Sequence, residues 1–135
     1  MTILLASIQD AVTEVLSKDD RIVFAYIHGS IFSEGKGKDV DLAIFSDPKA
    51  DNYSLPVDLK VSLHRKTDLP PEAFNIRIIN DTVAKGDIFT LLYLRNVLED
   101  GCVLVDNSPS VRADFLESYG FKFRECEGLI QEVLA

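Results

Sequence analysis

A chain of 135 residues, 47% hydrophobic and 27% charged, has the size and composition of one compact globular domain with enough material for a core. Its net charge of −8 excludes a broad nucleic-acid-binding face, which needs a basic stripe, and suits a small substrate carried with a metal ion, or a basic protein partner. No apolar run approaches membrane-spanning length, the N-terminus lacks the basic start and cleavage site of a secretion signal, and Cys102 and Cys126 stand in no ligand-like spacing, so a reducing cytoplasm without disulfide framework or zinc site is expected.

Met1 to Leu16 reads as an amphipathic helix, since Leu4, Ile8, Val12 and Val15 recur at helical spacing before Asp19-Asp20 closes the segment. "RIVFAYIHGS" predicts a buried strand from Ile22 to Ile27, with His28 at its end and Gly29 stopping it. A short loop or one-turn helix follows through "IFSEGKGK". "DVDLAIF" is a second strand, stopped by Ser46-Asp47-Pro48. From Asn52 to Lys66, Leu55, Leu59 and Leu63 fall four apart, which predicts a helix with Pro56 near its first turn. "DLPPE" breaks the chain and "AFNIRII" is a third strand. Ile88 to Glu99 reads as a helix with Gly101 in the helix-ending position, and "CVLV" as a short fourth strand.

The tail, about 110–134, is a C-terminal helix on which Tyr119, Phe123, Cys126, Ile130 and Val133 alternate four and three apart. That seam is expected to cover the domain's own sheet, because Gly120 and Gly128 weaken a long coiled coil. With no repeat, linker or low-complexity segment, residues 1–135 form a single domain of class α/β (α+β): a small mixed sheet of about four strands flanked by helices.

The chemistry concentrates between the first two strands. Residues two apart on a strand share a face, about 6–7 Å apart. Asp39 and Asp41 therefore point together, while Val40, Leu42 and Ile44 enter the core. Two carboxylates on one face repel. A divalent cation removes that repulsion, and Mg²⁺ prefers one or two carboxylates completed by phosphate oxygens and water. Gly29 lets a ligand approach the backbone, and the Ser30 hydroxyl with the amides that follow can bind phosphate oxygens. Lys36 and Lys38 can add charge, although lysines in such a loop are usually only solvated. Each half alone reads as a turn or a solvent-facing pair; joined by a short loop between two apolar strands, they read as one site.

Gly29-Ser30, eight residues, then Asp39-Val40-Asp41-Leu42 resembles the signature of the polymerase-β-type nucleotidyltransferases, and the chain's size resembles their minimal nucleotidyltransferase (MNT) branch. "FNIRIIND" is similar to the family's third strand and "VLEDGCVLVDN" to its closing helix–turn–strand. The resemblance implies a polymerase-β-like fold, with Gly29 and Ser30 holding the phosphates of ATP or another NTP. Asp39 and Asp41 would be both the catalytic acids and the Mg²⁺ ligands. Two such ions about 3.5–4 Å apart stabilise both oxygens of an in-line displacement. The implied reaction moves a nucleoside monophosphate to a hydroxyl and releases pyrophosphate.

The sequence departs from the family pattern in two places. The loop before Asp39 is shorter than usual and ends in Lys38 where serine is common. Asn75 also stands where the family places a third carboxylate, and an asparagine carbonyl can ligate a metal but cannot act as a base. Glu72, Asp58 and Asp81 are the acids to consider as substitutes.

Minimal members commonly act as antitoxins of HEPN toxins, attaching AMP to a tyrosine of the partner. The resemblance thus implies an AMP-transferring antitoxin with a HEPN-type protein partner, in a homo- or hetero-oligomer, and no direct nucleic-acid partner. The alternative is a catalytically degenerate binding module that neutralises its partner by occlusion. Transfer to a small molecule ranks lower, since relatives of that kind carry an extra domain for the acceptor, as does RNA extension, since no basic–aromatic strip is present.

Overall fold

The computed structural model describes residues 1–135. The first half comprises β1 (Ile3–Leu4), α1 (Leu5–Ser17), β2 (Ile22–His28), α2 (Ser30–Ser33), β3 (Lys36–Gly37), β4 (Val40–Ser46) and α3 (Ser54–Thr67). A single 3-10 turn at Pro71–Ala73 leads into β5 (Phe74–Ile78), α4 (Thr82–Lys85), α5 (Ile88–Leu98), β6 (Cys102–Asp106), α6 (Pro109–Glu125) and α7 (Glu127–Leu134).

Four strands form one mixed sheet in the order β5-β4-β2-β6. The short link between β2 and β4 allows them to pair antiparallel, and β6 pairs antiparallel on the other side of β2. β4 and β5 are parallel, which requires a crossover, and α3 supplies it. Strand alternation divides the core. Ala25 and Ile27 of β2 with Val40, Leu42 and Ile44 of β4 pack against α1 and α3, including Val12, Leu16, Leu55, Leu59 and Leu63. Phe24, Tyr26 and Ala43 face the opposite way, toward Leu91, Leu94 and Val97 of α5 and Phe115, Tyr119 and Ile130 of α6 and α7. Burying a side chain of this size stabilises by about 1.5–3 kcal/mol, so this alternation fixes the register and with it the direction in which Asp41 points.

The mixed sheet with flanking helices agrees with the expected fold class, and Tyr119 and Ile130 of the tail seam join the core cluster formed by Phe24, Tyr26 and Ala43 of the sheet with α5. Three details differ. The N-terminal helix begins at Leu5, because Ile3 and Leu4 pair with Gly37 and Lys36 in a two-stranded ribbon. The tail is two helices, interrupted at Cys126 (φ −101°, ψ 4°), and this break turns Ile130 inward to 1% exposure while Val133 remains 47% exposed. Gly101 is not a left-handed helix terminator. A Cβ there would lie 2.4 Å from the Val97 carbonyl oxygen and 2.7 Å from that of Ile27, so the close passage of the α5–β6 turn over the end of β2 demands glycine. No helix is long and apolar enough to cross a membrane.

Candidate active site

β2 ends at His28, and the backbone then turns at Gly29 with φ 79° and ψ −169°, a region essentially open to glycine alone. The Gly29 carbonyl accepts from the amides of Phe32 and Ser33 at 3.1 and 3.0 Å, which closes α2. A Cβ on Gly29 would sit 2.2 Å from Asp41 Oδ2. Glycine is thus required twice, by its backbone angles and by the carboxylate lying against it.

Asp41 stands at the centre of three strands. It is the cross-strand partner of His28 on β2 and of Asn75 on β5. The Asn75 side chain donates from Nδ2 to Asp41 Oδ1 at 2.9 Å. Asp41 is half-buried, and Asp39 is exposed in the bend one residue ahead of β4. None of the seven ion pairs of the protein involves either aspartate.

Two cavities meet at this point and share His28. One, of about 740 Å³, is lined by Gly29, Ser30, Ser33 and Glu34 on one side and Asn96, Glu99 and Asp100 on the other; no lysine or arginine reaches it. The second, of about 300 Å³, contains Asp41, Asn75, Ile76 and Arg77 with Lys60 of α3 and Tyr93 of α5. The Arg77 guanidinium lies 4.1 Å from the centre of the Tyr93 ring. His28 meets the same ring edge-on at 5.4 Å, and its Nε2 is 3.5 Å from the Tyr93 hydroxyl. Burial draws His28 below the usual imidazole range, with Asp41 opposing and Arg77 adding to the effect. Tyr93 is pushed up to about 12, chiefly by burial, with Arg77 opposing and Asp41 adding to the rise. Both rings are therefore uncharged near neutral pH, and the charges of the second cavity are those of Asp41, Lys60 and Arg77.

The structure thus brings Gly29, Ser30, Asp41 and Asn75 together and leaves Asp39 at the margin of the same end of the sheet. Lys36 and Lys38 are exposed and line neither cavity. Of the substitute acids, Asp58 is engaged by Arg21 at 2.9 Å and lines neither cavity. Asp81 lies beyond the far end of β5, just ahead of α4. Glu72 is exposed in the turn three residues before Asn75. Sequence reasoning assigned His28 only a strand-ending place and did not find Tyr93, Arg77 or Lys60. Alternation along "NIR" puts Arg77 on the face of Asn75 and was the available signal; Tyr93 and Lys60 reach the cavity only through tertiary packing.

No three histidine, cysteine or carboxylate side chains cluster so as to hold a metal ion unaided. The donor set present, one half-buried and one exposed carboxylate that enter no ion pair, fits an ion that completes its shell with phosphate and water.

The sequence pattern of the family described as polymerase beta, nucleotidyltransferase, matches residues 10–109. The chain belongs to that family. The matched span runs from α1 to the start of α6 and includes every residue of the two cavities. No match was found among curated proteins. Solved structures with the same fold include a toxin–antitoxin complex with AMP-PNP, at 15% identity and TM-score 0.60, covering 94% of this chain and 98% of that one. A second is the tri-AMPylated Shewanella oneidensis HEPN toxin in complex with its MNT antitoxin, at 15% identity and TM-score 0.57, covering 94% and 96%. A third is a mutant of the MntA–HpeT toxin–antitoxin pair, at 14% identity and TM-score 0.59, covering 94% and 98%. At these identities the likeness establishes the polymerase-β-like fold of the nucleotidyltransferase.

Proposed function

We propose that this nucleotidyltransferase transfers AMP from ATP, with Mg²⁺, to a hydroxyl of a protein partner, a tyrosine of a HEPN-type toxin being the first candidate. The observation that carries this reading is the seat of Asp41. Its carboxylate lies between a glycine that alone can occupy its position and Asn75, and no protein cation pairs with it. The family membership and the AMP-PNP and AMPylated complexes among the fold's relatives support the same reading.

Gly29 and Ser30 would receive the triphosphate in the larger cavity, which has no cation of its own and therefore depends on one arriving with the nucleotide. Asp39 and Asp41 would hold Mg²⁺. The ion supplies charge neutralisation at the phosphates and polarisation of the reacting phosphoryl group. The acceptor hydroxyl oxygen bonds to the α-phosphorus as the bond from that phosphorus to the β-phosphate bridge breaks; pyrophosphate leaves and the hydroxyl proton is released to solvent. The role of the fold is to align these groups, and alignment of this kind lowers a barrier substantially.

A second reading is favoured by one observation. Asn75 offers Asp41 an amide donor where a carboxylate would add a ligand and a base. The protein would then act as a binding module that neutralises its partner by occlusion. Titration of ATP in a calorimeter separates the two. Binding that requires Mg²⁺ and is lost in Asp41→Ala is expected, together with label transfer from ATP to the partner. Partner neutralisation that survives Asp41→Ala unchanged, with no transfer, would establish the module instead.

A further inference from the structure

The chain has four tyrosines, Tyr26, Tyr53, Tyr93 and Tyr119, and their hydroxyls meet different fates. Tyr26 and Tyr119 are buried, and both hydroxyls are engaged: that of Tyr26 accepts from Arg112 at 3.0 Å, and that of Tyr119 donates to Glu99 at 2.9 Å. Tyr53 is 90% exposed at the start of α3. Tyr93 is half-buried and is the one tyrosine that lines the cavity of Asp41. Its hydroxyl has a single hydrogen-bond partner, His28 Nε2, at 3.5 Å, well beyond the usual length of a bond made by a hydroxyl. Taking a hydroxyl out of water without a full-strength partner is destabilising. Phenylalanine would make the same ring contacts with His28 and Arg77 and avoid that loss, so packing alone gives no reason for the oxygen. The oxygen lies one imidazole away from Asp41. His28 is the cross-strand partner of Asp41, and side chains directly opposite on antiparallel strands have Cβ atoms about 4.5–5.5 Å apart. Arg77 over the ring face and His28 against its edge hold the ring in that place.

We infer that Tyr93 is a self-modification site: when no partner hydroxyl is present, the protein transfers AMP from ATP to the Tyr93 hydroxyl of its own chain. This rests on the nucleotidyltransferase reading above and adds an acceptor within the same molecule. Tyr93 offers the phenolic hydroxyl proposed for the partner, and it does so in the cavity of Asp41 and not in that of Gly29 and Ser30. Tyr93 Oη bonds to the α-phosphorus as the bond from that phosphorus to the β-phosphate bridge breaks. Pyrophosphate leaves and the phenolic proton goes to solvent. Ring and carboxylate share one cavity of one chain, so the transfer is intramolecular, and such preplacement of the acceptor favours it strongly. Tyr26 and Tyr119 are hidden, and Tyr53 lines neither cavity, so none of these competes. The adenylyl group on Tyr93 then occupies the cavity of about 300 Å³, and Tyr93 and a partner's tyrosine compete for one place.

The test uses the full chain alone, with Mg²⁺ and ATP. Intact mass is measured before and after incubation, and the modified residue is located by digestion. The expected result is one AMP per chain, on Tyr93, added at a fractional rate that does not change with protein concentration; AMP already on Tyr93 before incubation supports the inference equally. Tyr93→Phe, which keeps the ring, and Asp41→Ala should each abolish the addition, and Tyr53→Phe should leave it unchanged. Mg²⁺-dependent binding of α,β-methylene-ATP, whose α–β bridge is not cleaved, should persist in Tyr93→Phe and guards against a folding defect. A wild type that binds α,β-methylene-ATP yet never carries AMP would overturn the inference and leave the nucleotidyltransferase reading standing. AMP found on Tyr53 in place of Tyr93, or a fractional rate that rises in proportion to protein concentration, would overturn it as well, since either marks transfer between molecules. Failure of the wild type to bind Mg²⁺ and α,β-methylene-ATP at all would overturn the nucleotidyltransferase reading and this inference with it.

Discussion

The two ends of the β4–β5 pair carry the same device with opposite outcomes. At one end Asn80 reaches across to Ser46 and completes it: Oδ1 accepts from the Ser46 amide at 2.9 Å and Nδ2 donates to the Ser46 carbonyl at 2.7 Å. Ser46 is 1% exposed, and both of its backbone groups are satisfied. At the other end Asn75 reaches across to Asp41, but it is exposed and donates a single bond to one carboxylate oxygen. A carboxylate accepts several hydrogen bonds, and Asp41 receives this one from a side chain, with an open cavity on either flank. An asparagine that answers backbone with backbone-like geometry closes a fold. An asparagine aimed at an otherwise unpaired carboxylate marks a place kept open for something else.

The largest effect should come from Gly29→Ala at the open end. The new Cβ meets Asp41 Oδ2, and because that atom is the tip of a side chain, Asp41 swings aside and the fold survives. Stability should fall by about 1–3 kcal/mol for the left-handed backbone, while Mg²⁺-dependent ATP binding disappears from the calorimetric trace. Retained binding would show that the seat of Asp41 against Gly29 is not the nucleotide site. Asn80→Ala, at the closed end, should reverse the pattern. It leaves the buried Ser46 amide and carbonyl without partners, at about 1–3 kcal/mol in urea denaturation, and ATP binding should not change. A loss of binding there would mean that the two ends are coupled and that the contrast between them is false.

Asn75→Asp sharpens the same contrast with a smaller change. Without Mg²⁺, the new carboxylate loses the hydrogen bond to Asp41 and repels it, which should lower stability by about 1 kcal/mol, since surface charge pairs are worth little more. With Mg²⁺ the sign should invert, because a third oxygen ligand becomes available. The check is a thermal melt with and without the ion. An unchanged response to Mg²⁺ in the variant would place the ion away from Asn75.

Much of this was legible in the sequence, for reasons that locate the remainder. β2, β4 and β5 are short apolar runs between turn residues, so their existence and order follow from pattern alone. The Gly-Ser and Asp-x-Asp elements sit at strand ends, where spacing along the chain is spacing in space. Asn75 opposite Asp41 was reachable through the resemblance to the family's third strand. Tyr93 was not, because its ring reaches the site from α5, and nothing local distinguishes it from the apolar neighbours that bury against the sheet. The ribbon of β1 and β3 was likewise hidden, since two residues pairing with two others some thirty positions away leave no periodic trace. The break at Cys126 was missed because the apolar seam continues across it without a change of period.

The smallest expected effect lies at the closed end and is read by pH. Asp19 Oδ1 accepts from the Arg21 amide and Nε at 3.0 Å each, and Oδ2 accepts from a terminal nitrogen of the same guanidinium at 2.7 Å. The Arg21 carbonyl in turn accepts from the Asp47 amide at 2.8 Å, next to Ser46. These bonds hold the Asp19 carboxyl below its ordinary range, with burial opposing them. A depressed folded value means that the stabilisation is fully present above the unfolded carboxylate's pKa of about 4 and is lost as pH falls through the folded value. Asp19→Asn should therefore cost under ~1 kcal/mol at pH 7, because Arg21 is about a third exposed and water screens the pair. The deficit should shrink toward zero as the wild-type group also becomes neutral in acid. A deficit that stays constant from pH 7 to strong acid would assign the contribution to the shape of the turn and not to its charge. In either case ATP binding should be untouched, since this clasp stands at the other end of β2 from Gly29.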